Sequence, residues 1–300
     1  MIINRKVVLL YNSIDYFVPF FEQKGILSYP SYRKVSFFFR IIRKIFFLLG
    51  LPKSIWYGNW KNSLNGVTTV ICFSTNPVES LEYIKSINPQ IRLIFWYWDP
   101  VYRNVKQPDA ISDDLCEKWS FDRNDCQVYK MNYNTTFYLD SITLPKSELF
   151  YDVLFLGQDK GRRLFLNDFK KQFIGMGLVP FFYIVDDTTS GWNFMKTSPA
   201  IPYVKYLALL SKSKAILDYT QEGQSGMSLR PMESVFFSKK LITNDLAILK
   251  QDFYLADNIF ILGVDDISSL TVFLNTPYKK ISKEIVEKYD FTNWLERFFV

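Results

Sequence analysis

The residues best suited to chemistry lie in 214–244, KAILDYTQEGQSGMSLRPMESVFFSKKLITN, which reads as a buried strand, a Gly/Ser/Gln loop, a helix carrying Arg230 and Glu233, and a second buried strand. Such a unit sets the N–H groups of a loop and a helix N-terminus at the carboxyl edge of a parallel sheet, where phosphates are favoured. A second loop of this kind lies in 151–163, YDVLFLGQDKGRR, where a strand runs into Gly157 and where Lys160, Arg162 and Arg163 stand at a helix start. Cations there oppose the helix macrodipole unless an anion compensates them. Together the loops point to a nucleotide or sugar-phosphate site. Its candidate ligand-binding residues are Gly157, Lys160, Arg162, Tyr219, Gln224, Ser225, Gly226, Ser228, Arg230 and Glu233. Arg230 either reaches the phosphates or pairs with Glu233 three residues on.

The chain has 300 residues and no histidine, which removes imidazole triads, histidine-containing zinc sites and histidine general bases in one step. Acid–base work falls to Asp, Glu, Lys, Tyr or Cys. Asp186-Asp187 follows a strand, but adjacent aspartates in a turn are solvated more often than they are metal ligands. Three cysteines without an even set of close spacings suit reduced thiols in a cytoplasmic protein, with Cys72 in the core.

Net charge is +6, yet 23–77 alone holds eight basic residues and no acidic one, leaving the remainder at −2. The basic character is therefore local and calls for an anionic partner at one surface. Within that block, RKVSFFFRIIRKIFFLLGL (33–51) wound as a helix gathers Arg33, Arg40, Arg43 and Lys44 on one face and Phe37, Phe38, Ile41, Ile42, Ile45 and Leu48 on much of the rest. Cations interrupt it too often for a membrane span. It suits a helix lying in an anionic membrane surface, or else a core helix with a solvated basic edge.

These groups need elements to hold them. Apolar runs at 6–11, 67–73 and 91–97 alternate with amphipathic segments at 14–23, 36–49, 77–87 and 109–118. The second half repeats the rhythm, with strands expected at 152–156, 178–184, 215–219, 240–243 and 259–262 and helices at 162–174, 202–211, 228–237 and 267–274. Continuous apolar strands between helices imply parallel α/β sheets covered on both faces. The polar stretch 139–150, with Pro145, marks the junction, giving a first domain 1–145 and a second 146–288. Residues 282–300 read as one or two helices outside both sheets, with 289–300 a candidate to pack back on the first domain. Two doubly wound halves, with a cleft between their carboxyl edges, are expected.

In the first half WYWDP (96–100) ends a strand at that edge. Trp98 either stacks on a sugar or is core, and Asp99 either contacts an acceptor hydroxyl or starts a turn. Asp15, beyond the first strand, is another carboxylate able to deprotonate an acceptor hydroxyl, or simply a helix-terminal charge. Asn12 joins Trp98 as an acceptor-side candidate.

The chain resembles GT-B glycosyltransferases of bacterial surface polysaccharide assembly (lipopolysaccharide, capsule or exopolysaccharide). The resemblance rests on WSFDRNDCQVYKMNYNTTFY (119–138), YDVLFLGQDKGRR and LDYTQEGQSGMSLRPMESVFFSKKLITND, spanning most of 91–262. It implies two Rossmann-like domains facing across a cleft, a nucleotide diphosphate sugar as co-substrate in the second and a lipid-linked or oligosaccharide acceptor on the first. It implies no further cofactor, no obligatory metal and no nucleic acid partner. Lys160, Arg162 and the 224–228 loop would hold the departing diphosphate, Glu233 the ribose hydroxyls, and Asp99 or Asp15 would act as base. Retaining members often carry Glu-x7-Glu, and counting back from Glu233 finds Ser225, with Glu222 three residues earlier. The stereochemical outcome stays open. The enzyme is expected at the inner face of the cytoplasmic membrane. A non-catalytic nucleotide-sugar-binding protein, and a nucleic-acid or phospholipid binder using 33–53, are the alternatives.

Overall fold

The computed structural model describes residues 6–12, 15–74, 77–104, 106–186, 198–220 and 227–300, with the backbone alone for Asp15 and Arg103. The expected Gln224, Ser225 and Gly226, with Glu222 and Asp187, lie outside the described residues, as does the Asp15 side chain.

The chain divides into two compact units, Met1–Thr136 with Glu296–Val300, and Phe137–Leu295. The first is built on β1 (Val7–Tyr11), β2 (Leu27–Pro30), β3 (Thr69–Phe73), β4 (Arg92–Tyr97), β5 (Glu117–Ser120) and β6 (Asn132–Tyr133), with helices α1 (Val18–Gln23), α2 (Phe37–Leu48), α3 (Glu79–Ile87) and α4 (Arg123–Tyr129). Its strands are all parallel, in the order β2-β1-β3-β4-β5-β6. Every residue of β1 and β3 is buried, as a strand covered on both faces requires. The core around them gathers Val8, Leu10, Val70, Cys72, Phe95 and Tyr97.

The second unit runs β7 (Tyr151–Gln158), α5 (Arg163–Gly175), β8 (Pro180–Val185), α6 (Tyr203–Ser211), β9 (Ser213–Asp218), α7 (Leu229–Phe237), β10 (Lys240–Thr243), β11 (Ile259–Ile261), α8 (Leu270–Asn275), α9 (Lys283–Lys288) and α10 (Phe291–Glu296). Its sheet is also wholly parallel, ordered β11-β10-β9-β7-β8. Pro180 is tolerated because β8 is an edge strand and Pro180 is its first residue. The expected α/β class with two Rossmann-like parallel sheets is thus observed. In each sheet the order reverses next to the first strand, between β1 and β3 and between β7 and β9. Crevices for ligands open at the carboxyl ends of strands at such a reversal.

Three elements depart from expectation. The helix expected over 109–118 is a short 3-10 turn, Pro108–Ala110, followed by β5. Long-range partners override the local pattern there. The Lys118 ammonium donates to the carbonyls of Pro108 and Ile111, and the Glu117 carboxylate takes a fork from Arg92 at 2.6 and 2.7 Å. Strands β2 and β6 were not foreseen, being short edge strands without an apolar run. The chain end belongs to two units. Trp294 of α10 lies 4.4 Å from Phe137 between ring centroids, whereas the ring of Phe298 packs on Trp119 and the Phe298 carbonyl accepts from Arg92.

Candidate functional site

At the β7/β9 reversal a pocket of about 110 Å³ is lined by Gln158, Lys160, Arg162, Asp218, Thr220, Ser228 and Arg230. Two strands and two loops converge on it. Gln158 ends β7, Asp218 ends β9, Lys160 and Arg162 lie in the β7–α5 turn, and Ser228 and Arg230 open α7.

The β7–α5 turn closes through the Arg162 N–H on the Asp159 carbonyl at 2.9 Å, with Lys160 (φ 48°) and Gly161 (φ 76°) both left-handed. Gly161 adopts that geometry at little cost, whereas it is a less favourable conformation for Lys160, which lines the pocket. Arg162 is only 7% exposed. Its guanidinium donates to the carbonyls of Asp159 (3.2 Å), Gln158 (2.7 Å) and Tyr219, and lies over the Phe155 ring. It clasps the end of β7 to the segment after β9, adding positive charge to the pocket while these donors are spent on the backbone. Arg163 points elsewhere, paired with Asp159 at 2.7 Å and Asp186 at 2.6 Å. The anion that compensates this cation at the start of α5 is internal. Asp186, expected to be solvated, is held by Arg163 and by the Ser198 N–H.

Ser228 caps α7: its hydroxyl accepts from the Arg230 N–H and donates to Asp218 at 2.9 Å. The Arg230 side chain reaches across the sheet edge to the Leu156 carbonyl at 2.7 Å and to Asp218 at 3.2 Å, over the face of Phe155. It does not pair with Glu233, which corrects one of the two expected partners. Gly157 lies under that guanidinium, where a Cβ would collide with it. The glycine serves the arginine by close approach. Thr220 is anchored through its N–H and hydroxyl to the Asn244 side chain at 2.7 and 3.0 Å. Among the described residues three cations line the pocket against one carboxylate, at the N-terminus of a nine-residue helix, an arrangement that electrostatically favours an anion.

Glu233 lies away from it. The residue is 2% exposed and faces α6, where Tyr203 donates to one carboxylate oxygen at 3.1 Å and Tyr206 to the other. Tyr203 in turn shares a 2.5 Å hydrogen bond with Tyr138. Burial raises the Glu233 carboxyl to about 7. The Glu233 carboxylate, expected at the ribose hydroxyls, is engaged in this structure by the two tyrosines of α6 and is not among the residues lining the pocket. Tyr219 stands just outside the lining, stacked on Phe165. Sequence reasoning missed Gln158, Asp218 and Thr220 in the lining, and Asp159 and Asn244 behind it. The visible signal was a polar residue directly after each apolar strand run.

In the first unit Asn12 follows β1, and Trp98 and Asp99 follow β4, all at the carboxyl edge. Trp98 packs on Phe73 at 5.4 Å, and the Asp99 carbonyl accepts from Asn104. Ser74, in register between them, has a buried hydroxyl with no hydrogen-bond partner.

Helix α2 buries none of its residues, which overturns the core-helix alternative. Ile42, Arg43, Phe46 and Phe47 face inward, Phe47 against Tyr32 and Phe46 against Trp56. Phe37, Phe38, Ile41, Ile45 and Leu48 form an exposed stripe, with Leu48 at 86%. The four expected cations do not share one face. Arg43 stacks on Tyr32 and donates to the Arg33 carbonyl, and Arg33 stacks on Trp56, while Arg40 and Lys44 flank the stripe. Among the described residues no helix is long and apolar enough to cross a membrane.

No family model matches the chain, and no curated protein does. Among solved structures it is similar to a Methanocaldococcus jannaschii UDP-GlcNAc 2-epimerase in complex with UDP-GlcNAc and UDP (10% identity, 98% of this chain and 97% of that one, TM-score 0.48). It is similar also to S. aureus MnaA with UDP (8%, 98% and 95%, TM-score 0.44). TarM matches over 77% of this chain at 12% identity and a TM-score of 0.46, and the chain spans 54% of TarM's length.

Proposed function

We propose that the chain is a glycosyltransferase of GT-B type that takes a nucleotide diphosphate sugar in its second unit and passes the sugar to a lipid-linked saccharide of a bacterial surface polysaccharide. The observation that carries this reading is the cationic pocket at the β7/β9 reversal, where Lys160, Arg162, Arg230 and the start of α7 surround space for an anion. In the reaction an acceptor hydroxyl oxygen bonds to the anomeric carbon as the bond from that carbon to the diphosphate oxygen breaks. The hydroxyl proton passes to a carboxylate, for which Asp99 and Asp15 are the candidates if the reaction inverts. The leaving diphosphate gains negative charge in that step, and Lys160 and Arg230 stabilise it electrostatically. The exposed stripe of α2, with Arg40 and Lys44 beside it, supports docking at an anionic membrane surface, where a lipid-linked acceptor resides. A panel of nucleoside diphosphates and their sugars in thermal-shift and calorimetric binding, followed by transfer to a lipid extract, tests the reading. Absence of nucleotide binding would sink it.

One observation favours a second reading, binding without turnover. Among the described residues the one carboxylate lining the pocket, Asp218, is already engaged by Ser228 and Arg230. Donor binding with neither hydrolysis nor transfer selects that reading.

A further inference from the structure

The pocket is small and polar, well below the roughly 300–1,000 Å³ that encloses a whole organic ligand. It accommodates a charged group, so the rest of a nucleotide must lie on the surface beside it. Helix α5 supplies an aromatic ladder there, with Phe173, Phe169 and Phe165 at successive i, i+4 positions. Phe173 is fully buried, Phe169 half-buried and Phe165 58% exposed, so the ladder climbs from the core to the carboxyl edge. Tyr219 lies on its upper end, 5.4 Å from Phe169 and 6.0 Å from Phe165 between ring centroids, the latter pair inclined by only 29°. The ledge adjoins the pocket through the backbone: the Tyr219 carbonyl accepts from Arg162, and Thr220, the next residue, is a lining residue. Phe165, three residues along the chain from the lining residue Arg162, offers an exposed ring face to a planar group attached to an anion held in the pocket.

We propose that Phe165, backed by Tyr219, is the nucleobase-stacking residue of the site, which selects a nucleoside diphosphate over a plain sugar phosphate or pyrophosphate. The inference rests on the nucleotide-sugar reading and adds a specificity residue to it. Stacking uses the ring face that every base offers, so the ledge by itself tolerates a change of base.

The test is calorimetric binding of inorganic pyrophosphate, UDP and ADP to the full chain and to its Phe165→Ala and Phe165→Tyr variants. Wild type binds both nucleotides at least about tenfold tighter than pyrophosphate, and Phe165→Ala weakens both by roughly 5- to 150-fold. Pyrophosphate affinity stays within about twofold, and Phe165→Tyr restores nucleotide binding. An unchanged nucleotide-to-pyrophosphate ratio in Phe165→Ala overturns the ledge while leaving the nucleotide reading standing. Binding of pyrophosphate alone, or of none of the three, overturns both.

Discussion

Gly157 and Arg230 compete for one volume: the Arg230 guanidinium lies where a side chain on residue 157 would begin, bonded to the Leu156 carbonyl and to Asp218. A residue with a Cβ at 157 excludes this arginine position. Gly157→Ala is therefore expected to expel the guanidinium, leaving an acceptor unpaired at a stability cost of about 1–3 kcal/mol. Pyrophosphate and UDP affinity should fall about tenfold or more. Calorimetry with chemical denaturation checks both, and wild-type affinity in the variant would remove Arg230 from the anion site.

Lys160 and Arg162 line the same pocket but should fail differently. Lys160→Ala is expected to lower nucleotide affinity about tenfold and to leave the melting temperature within a few degrees, its side chain being the charge offered at the pocket wall. Arg162→Ala strips a buried donor from three carbonyls and should destabilise the second unit by about 2–4 kcal/mol. Equal stability of the two variants would contradict the clasp role of Arg162.

Glu233 should give the protein a pH-dependent stability. Its carboxyl is raised from an ordinary 4.5 to about 7 by burial, so the folded state holds a proton that the unfolded chain has already released. The stabilisation is full below about 4.5, declines as pH rises and is gone above about 7. Relative to Glu233→Gln, which does not titrate, wild-type stability in urea should fall between pH 4.5 and 7.5. A flat or rising difference would show that this carboxyl is ionised throughout.

The α2 stripe separates insertion from charge. Phe38→Asn, Ile41→Asn and Ile45→Asn, all at exposed positions, should each change stability by less than about 0.5 kcal/mol. Each should reduce co-sedimentation with anionic vesicles several-fold. Charge reversal at Arg40 and Lys44 should abolish salt-sensitive binding, whereas reversal at Arg43 should also destabilise α2, because its guanidinium packs on Tyr32. Vesicle binding indifferent to all six changes would dissociate α2 from the membrane. Nucleic-acid binding with a steep salt dependence would assign the basic block elsewhere.

Much of the frame was legible because it rests on local pattern. The apolar runs at 67–73 and 240–243 could only be buried strands, and the helices at 163–175 and 229–237 began where cationic and Ser/Gly loops placed them. The helix expected at 109–118 failed because its residues are bound by partners remote in sequence: Glu117 to Arg92, and β5 to β4. The site was half legible for the same reason. Lys160, Arg162, Ser228 and Arg230 converge as their positions beside apolar strands suggested, but Glu233, on the same helix as Arg230, turns to α6 and two tyrosines.

By itself the sequence determined the parallel α/β class, the two anion-favouring loops, the local basic block and the absence of imidazole chemistry, since each follows from residue type and short-range spacing. Only the tertiary structure decided what those residues do. Arg230 meets Leu156 across 74 residues of chain, Asp218 rather than Glu233 answers Arg230, and α2 shows Phe37, Phe38 and Phe39 outward while Phe46 and Phe47 face inward. Strand register and helix rotation set these relations, and both are fixed by packing among segments far apart in the chain.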